Sequence, residues 1–329
     1  MDKMLFLHAE GRIEQFRLFH FKISGIDASR VCEWISAALC RGVKVMDLIF
    51  VPWYRNIPML LTAVLFTCKT LVRLKLGFPF VMTVRSHVFM PSLSTLELQS
   101  IIFEDDDSTF PFYLPRLVYF KYKVFTAKRY SMGNMPCLVT ADFDISFGLL
   151  PISDESHGFV KLFEGIGNVK SLHLSIDPEA LPFLSHKRFV AFQNLHHLEI
   201  DGASKKWKGK GLLEFLEFSP NLQTLVICKI SNEFSFTNVP SCVVHQLKEF
   251  KVYYFDVVSS LVNMVTYILQ NATVLEKLTY SFTNVTSCVV YLLKEFKVFY
   301  SDDELSSSRM QQFLRNSQYM CKISPRQKN

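Results

Sequence analysis

A six-residue pattern returns along the whole chain and narrows what it can fold into. Its clearest member is Leu71-Val72-Arg73-Leu74-Lys75-Leu76, apolar at the first, fourth and sixth positions and mostly polar between. Alternation over the last three residues puts Leu74 and Leu76 on one face of a strand and Lys75 on the other. Matches begin at Ile13, Val43, Leu71, Leu93, Leu117, Leu138, Val169, Leu195, Leu222, Leu247, Leu275 and Leu293, at steps of 30, 28, 22, 24, 21, 31, 26, 27, 25, 28 and 18 residues.

A lone strand of this kind has nothing to bury its apolar face against, but stacked neighbours do. The pattern and period are those of a leucine-rich repeat. They predict an α/β right-handed solenoid (a horseshoe), with a parallel concave sheet and helices or irregular loops on the convex side. A sustained repeat over 329 residues argues for one elongated solenoid rather than two ordinary domains. Hydrophobic residues make up 49% of the chain, and the 31 Phe are read as filler for its wide interior rather than as an aromatic binding box.

Between the strands, the spacing predicts a helix from an Asp27 cap to about Leu39, with Val31, Trp34, Ile35, Ala38 and Leu39 on one stripe and Gly42 as its stop. The next turns carry Pro just before the strand (Pro91, Pro115 and Pro136), which suits a strand entrance and a non-helical convex side. Further on, 158–165, 182–192 and 211–218 look helical. Ser259 and Ser260 are candidate caps for a helix through Leu269. Residues 235–254 recur at 281–300 with four differences in twenty, a recent tandem copy that leaves the twelfth strand 18 residues after the eleventh.

A net charge of +6 is weak support for nucleic-acid binding. The basic run Lys205-Lys206-Trp207-Lys208-Gly209-Lys210 reads as an exposed loop, and Glu104-Asp105-Asp106-Asp107 as a solvated turn without the spacing of a calcium loop. The eight cysteines are scattered without a C-x-x-C pair, which fits buried free thiols in a reducing compartment. Met1 to His8 is too short an apolar run for a signal peptide, and no stretch of 18 apolar residues occurs. These features predict a cytoplasmic or nuclear protein without membrane contact, and chance sequons at Asn271 and Asn284.

No catalytic, cofactor-binding or metal-binding constellation is found. G-x-S-x-G, H-E-x-x-H and the phosphate-loop motif do not occur, and His196-His197 are neighbours that point to different sides of a strand. The chain is therefore read as a non-enzyme. More is offered by the fifth template position, which faces away from the core: Arg17, Asp47, Lys75, Glu97, Lys121, Asp142, His173, Glu199, Val226, Lys251, Thr279 and Lys297. Its first six members alternate in sign, which predicts a ladder of exposed ion pairs worth about 0–1 kcal/mol each. That leaves recognition of a protein partner to the later face, with Thr224, Val226, Glu249, Lys251, Lys277, Thr279, Glu295 and Lys297 as candidate contacts.

Several phrases go beyond the repeat. Trp34-Ile35-Ser36-Ala37-Ala38-Leu39 with Arg41-Gly42-Val43, then Leu65-Phe66-Thr67-Cys68-Lys69-Thr70-Leu71, then Pro91-Ser92-Leu93-Ser94-Thr95-Leu96, resemble plant F-box/leucine-rich-repeat proteins. Cys242 through Leu247-Lys248-Glu249-Phe250 to Asn271-Ala272-Thr273-Val274-Leu275-Glu276-Lys277-Leu278-Thr279 is similar to their C-terminal FBD region. The resemblance divides the chain into a solenoid (1–240), FBD-like repeats continuing it (241–280), and a near-duplicate of 235–254 plus a tail (281–329). It implies the substrate-recognition part of an F-box ubiquitin-ligase subunit. Nothing before Phe16 matches the F-box itself, so direct binding of a Skp-type adaptor is not expected, nor is nucleic acid as a partner. The alternatives are a truncated or little-used family member with no selected function, or a receptor for a small ligand on the concave face.

Overall fold

A computed structural model describes residues 12–20, 28–50, 59–60, 63–77, 80–82, 88–103, 112–124, 135–145, 163, 165–176, 191–201, 210–228, 238–255, 258–282 and 288–291. They divide between two compact units, one ending at Val169 and the other beginning at Lys170.

The first unit runs β1 (Gln15–His20), α1 (Ala28–Cys40), β2 (Val45–Phe50), β3 (Met59–Leu60), α2 (Ala63–Phe66), β4 (Arg73–Gly77), β5 (Phe80–Met82), β6 (Val88–Phe89), β7 (Thr95–Gln99), β8 (Ile102–Phe103), β9 (Phe112–Tyr113), β10 (Tyr119–Val124) and β11 (Thr140–Ile145). Its main sheet orders β1, β2, β4, β7, β10 and β11, every pair parallel. Two small parallel sheets, β3-β5-β8 and β6-β9, form from the segments between. Each main strand begins two residues after a template match. The first template residue lies at the strand entrance and is buried: Val43, Leu71, Leu93 and Leu117 are all 0% exposed. The fourth and sixth positions follow it inward, as Leu74, Leu76, Leu96, Leu98, Phe120 and Tyr122 do. Phe fills the interior as expected at Phe50, Phe80, Phe120 and Phe143, whereas Phe89 stacks on Tyr113 at the surface.

Helix α1 buries Val31, Ile35, Ala38 and Leu39, while Trp34 is half-buried. Gly42 stops it at φ 72°, with Gly42 N–H donating to Leu39 O (3.1 Å) and Val43 N–H to Ala38 O (3.4 Å). This paired arrangement needs a left-handed residue, which glycine adopts without strain. The prolines sit second in tight turns, closed by Leu93 N–H to Met90 O, Leu117 N–H to Leu114 O and Leu138 N–H to Met135 O. Their fixed φ suits that place.

The second unit contains β12 (Ser171–Ile176), β13 (His197–Asp201), α3 (Lys210–Glu217), β14 (Thr224–Cys228), α4 (Ser241–His245), β15 (Glu249–Phe255), α5 (Val258–Asn271), β16 (Lys277–Phe282) and β17 (Cys288–Tyr291). Strands β12 to β16 are parallel in chain order. Each unit is thus a leucine-rich-repeat sheet, with one main strand for each match from Ile13 to Leu275.

Three expectations need correction here. Ser259 and Ser260 do not cap α5, which already begins at Val258; both lie in its first turn. The cysteines are not uniformly buried: Cys228 and Cys242 are, but Cys40 and Cys137 are exposed. The edge of β16 reserved for a parallel twelfth strand is taken by β17, which runs antiparallel with Thr279 opposite Val289. The strand from Leu293, the acidic run at 104–107, Lys205 to Lys208 of the basic run, Asp27 and the tail lie outside the described residues. Among the described residues no helix is long and apolar enough to cross a membrane.

This burial pattern makes a direct prediction. Leu74, 1% exposed, should cost about 2–5 kcal/mol as Leu74→Ala in chemical denaturation. Lys75→Ala, which removes one half-exposed ion-pair member, should cost less than about 1 kcal/mol. Equal losses would contradict the register.

Candidate partner-binding face

The third and fifth template positions project from the same side of each strand, so two rows of side chains cover the sheet face. Parallel register sets each row abreast. In the first unit Arg17, Asp47, Lys75, Glu97, Lys121 and Asp142 are consecutive partners along the fifth-position row. Arg17 Nε lies 3.0 Å from Asp47 Oδ2, Lys75 Nζ 2.9 Å from Glu97 Oε2, and Lys121 Nζ 2.5 Å from Asp142 Oδ2.

The ladder is deeper than the predicted exposed one. Asp47 is 4% and Asp142 8% exposed. Asp47 sits down between Arg17 and Arg73, and Asp142 beside Lys121, longer basic chains that keep their charged ends in water. Residues of the third row contribute as well. Arg73 donates to Glu97 Oε1 (3.1 Å) and lies 3.6 Å from Asp47 Oδ1, so it links two fifth-position acids. Tyr119 O–H donates to Asp142 (3.3 Å), and one step further along the strands Lys123 pairs with Asp144. Burial pulls the Lys121 ammonium down, but the hydrogen bond to Asp142 and the surrounding negative charge together outweigh this and hold it above its ordinary value. Burial, helped by the Asp142 charge, also pushes the Tyr119 hydroxyl up. Arg73 and Tyr119 were legible two residues before each fifth position; a reading confined to one row passes them by.

The second unit differs. His173 Nε2 stands 3.9 Å from Glu199, so the alternation is continued only loosely. Burial lowers the neighbouring His197 despite the attraction of Glu199, keeping that ring neutral over more of the pH range. His196 is exposed in the turn before β13.

Of the candidate contacts, Thr224, Glu249 and Lys277 lie abreast in the third row, and Val226, Lys251 and Thr279 in the fifth. Val226 and Thr279, expected to be exposed, are each 4% exposed. Val226 is a short side chain set between the longer Glu199 and Lys251, which shield it. The charged centre is Glu249, with Lys277 Nζ at 2.8 Å and Lys251 Nζ at 3.1 Å. Glu295 and Lys297 lie outside the described residues. The reachable face therefore reduces to Thr224, Glu249, Lys251 and Lys277. Among the described residues no group of three His, Cys, Asp or Glu is placed to hold a metal ion.

Burial raises the Glu249 carboxyl, but hydrogen bonds from Lys277 and Lys251 outweigh it and hold the group below its ordinary value of 4.5. A carboxyl lowered on folding contributes its stability in full above its unfolded value, and loses it as pH falls through the lowered folded value. Glu249→Gln should therefore flatten the loss of stability below about pH 4.5 relative to the parent chain, as followed by urea midpoints across an acid series. Identical acid limbs would remove Glu249 as the centre of this cluster.

Comparison with known proteins agrees with this architecture. The FBD family matches residues 235–279, which include α4, β15, α5 and the start of β16. The chain is 30% identical to F-box protein At3g59000 of Arabidopsis thaliana over 69% of its own length and 59% of the relative's. It is 27% identical to the putative F-box/LRR-repeat protein At4g00320 of the same plant, covering 69% and 57%. With F-box/FBD/LRR-repeat protein At5g44980 it shares 28% identity, covering 68% and 54%. The chain thus spans a little more than half the length of these relatives. No solved structure matches it. With its leucine-rich strands and its FBD segment, the chain is a relative of the plant F-box/FBD/leucine-rich-repeat proteins.

Proposed function

We propose that this chain is a non-enzymatic protein-binding module, similar to the substrate-recognition part of an F-box ubiquitin-ligase subunit, and that its partner docks on the sheet face of the second unit. One observation carries the choice of face: its charged side chains are concentrated at Glu249, Lys251 and Lys277, beside the uncharged Thr224, Val226 and Thr279. In the first unit, by contrast, Arg17, Asp47, Arg73, Glu97 and Lys75 already pair with one another. Breaking into that ladder strips charges of partners they have, which a docking protein must repay. On the second face Lys251 and Lys277 both pair with Glu249, and an acidic side chain from a partner would meet two ammonium groups there.

The names of the relatives support the ubiquitin-ligase setting. Contact with a Skp-type adaptor is not assigned to these repeats. Nucleic acid is disfavoured as a partner because, among the described residues, neither face carries a stripe of one sign to displace counterions. The buried free thiols Cys228 and Cys242 suit a reducing compartment, the cytoplasm or nucleus.

Affinity capture from plant tissue with proteasome activity blocked supplies the partner for the test. Binding should fall at least tenfold with Lys251→Glu and Lys277→Glu together, and should survive Asp47→Lys with Lys75→Glu. The reverse pattern, in chains of equal thermal stability, would move the docking face to the first unit.

A further inference from the structure

Two strands carry the charged centre of the second unit: β15, with Glu249 and Lys251, and β16, with Lys277. A short polar contact joins the segments that lead into them. Val244 lies in α4, just ahead of β15, and Thr273 lies in the turn between α5 and β16. Val244 O accepts the Thr273 amide (3.1 Å) and the Thr273 hydroxyl (2.6 Å). Further along, Lys248 O accepts the Glu276 and Lys277 amides (2.8 and 3.0 Å). The two lead-ins therefore run side by side from this latch to the start of the strand pairing.

Three properties of Thr273 make the contact switchable. It is exposed, as Val274 and Glu276 beside it are, in a turn that another protein can reach. Its hydroxyl is the donor, so a group esterified there abolishes that bond and leaves the amide bond alone. It also follows a 14-residue helix, α5, whose C-terminal end is a partial negative pole that accepts a hydroxyl and repels an added anion. Glu276, three residues on, supplies an acidic position for a kinase with a basic groove to read.

We propose that Thr273 is a phosphorylation site that unlatches the charged face of β15 and β16. The Thr273 oxygen bonds to the terminal phosphorus of a nucleoside triphosphate, and the bond from that phosphorus to its bridging oxygen breaks. The nucleoside diphosphate leaves with the electron pair, and the hydroxyl proton passes to the base of the kinase. Val244 O then keeps one donor of two, and a charge of about −1.5 to −2 stands at the end of α5. The entrances of β15 and β16 loosen, and Lys277 is no longer fixed against Glu249. The latch belongs to the chain alone; its effect on a partner rests on the docking face proposed above.

Hydrogen exchange in the full chain tests the latch without a partner. Thr273→Val keeps the branched shape and removes the hydroxyl. It should speed exchange of the Glu276 and Lys277 amides about three- to tenfold, the scale of one lost hydrogen bond. Thr273→Ser should restore the parent rate, and the Gln223 and Thr224 amides, bonded to His196 O, should not change in either variant. Incubation with plant extract and ATP should place a phosphoryl group on Thr273, as read by mass spectrometry. The purified phosphorylated chain should exchange faster at Glu276 and Lys277 than Thr273→Val does. Equal rates in the parent and Thr273→Val would overturn the latch. Labelling confined to other residues would overturn the site. A phosphorylated chain exchanging at the parent rate, its phosphate held by a base such as His245 or Lys248, would overturn the switch. If the phosphorylated chain opens yet binds the captured partner as the parent does, the link to docking falls, while the docking face still stands or falls by its own charge reversals.

Discussion

One backbone carbonyl per repeat holds the strands in place. It belongs to the second template residue, and it accepts two consecutive N–H groups from the next repeat. Glu14 O receives Lys44 and Val45, Lys44 O receives Val72 and Arg73, Val72 O receives Ser94 and Thr95, and Ser94 O receives Val118 and Tyr119. The second unit repeats the arrangement, with Lys170 O receiving His196 and His197, and Lys248 O receiving Glu276 and Lys277. The buried first template residue precedes this carbonyl, so burial and hydrogen bonding agree on one register. A slip of one residue would expose every leucine and bury every charge. Steps of 21 to 30 residues from one match to the next within a unit can then vary without disturbing the sheet.

That register is also what organises the charges. Opposite signs at equivalent positions become neighbours only because each strand starts at the same height as the last. In the first unit the outcome is a network in which Asp47 is buried between Arg17 and Arg73, and Asp142 beside Lys121, basic chains that still reach water. Its members lose partners if anything intervenes, so it favours solvation over docking. In the second unit Glu249 is shared between Lys251 and Lys277, and its carboxyl is held low by both against the opposing effect of burial.

The C-terminal copies show the limit of local information. Cys242 is buried in α4, its Sγ donating to Leu216 O (3.3 Å), and burial pushes its thiol up to about 12. Val244 O accepts both the amide and the hydroxyl of Thr273, which ties α4 to the end of α5. These contacts reach 26 and 29 residues along the chain. Cys288–Tyr291 has the edge of β16 beside it instead, and the same Cys-Val-Val takes a strand there. Neighbours choose between the two backbones where the residues themselves do not.

The repeat, its period, the parallel pairing and the inward positions were all legible in the amino-acid sequence, because a two-residue alternation and a buried entrance leucine are local requirements repeated eleven times over. The stop of α1 at Gly42 and the proline turns were legible for the same reason, since each rests on the φ of one residue. The sequence likewise determined the order of charges along the fifth-position row. Only the tertiary structure decided how deep those charges sit, because depth depends on the relative lengths of side chains on three adjacent strands. It alone brought Arg73 and Tyr119 into the network and withdrew Val226 and Thr279 from the reachable face. It also decided that the edge of β16 carries an antiparallel strand, because a free edge accepts either direction of pairing.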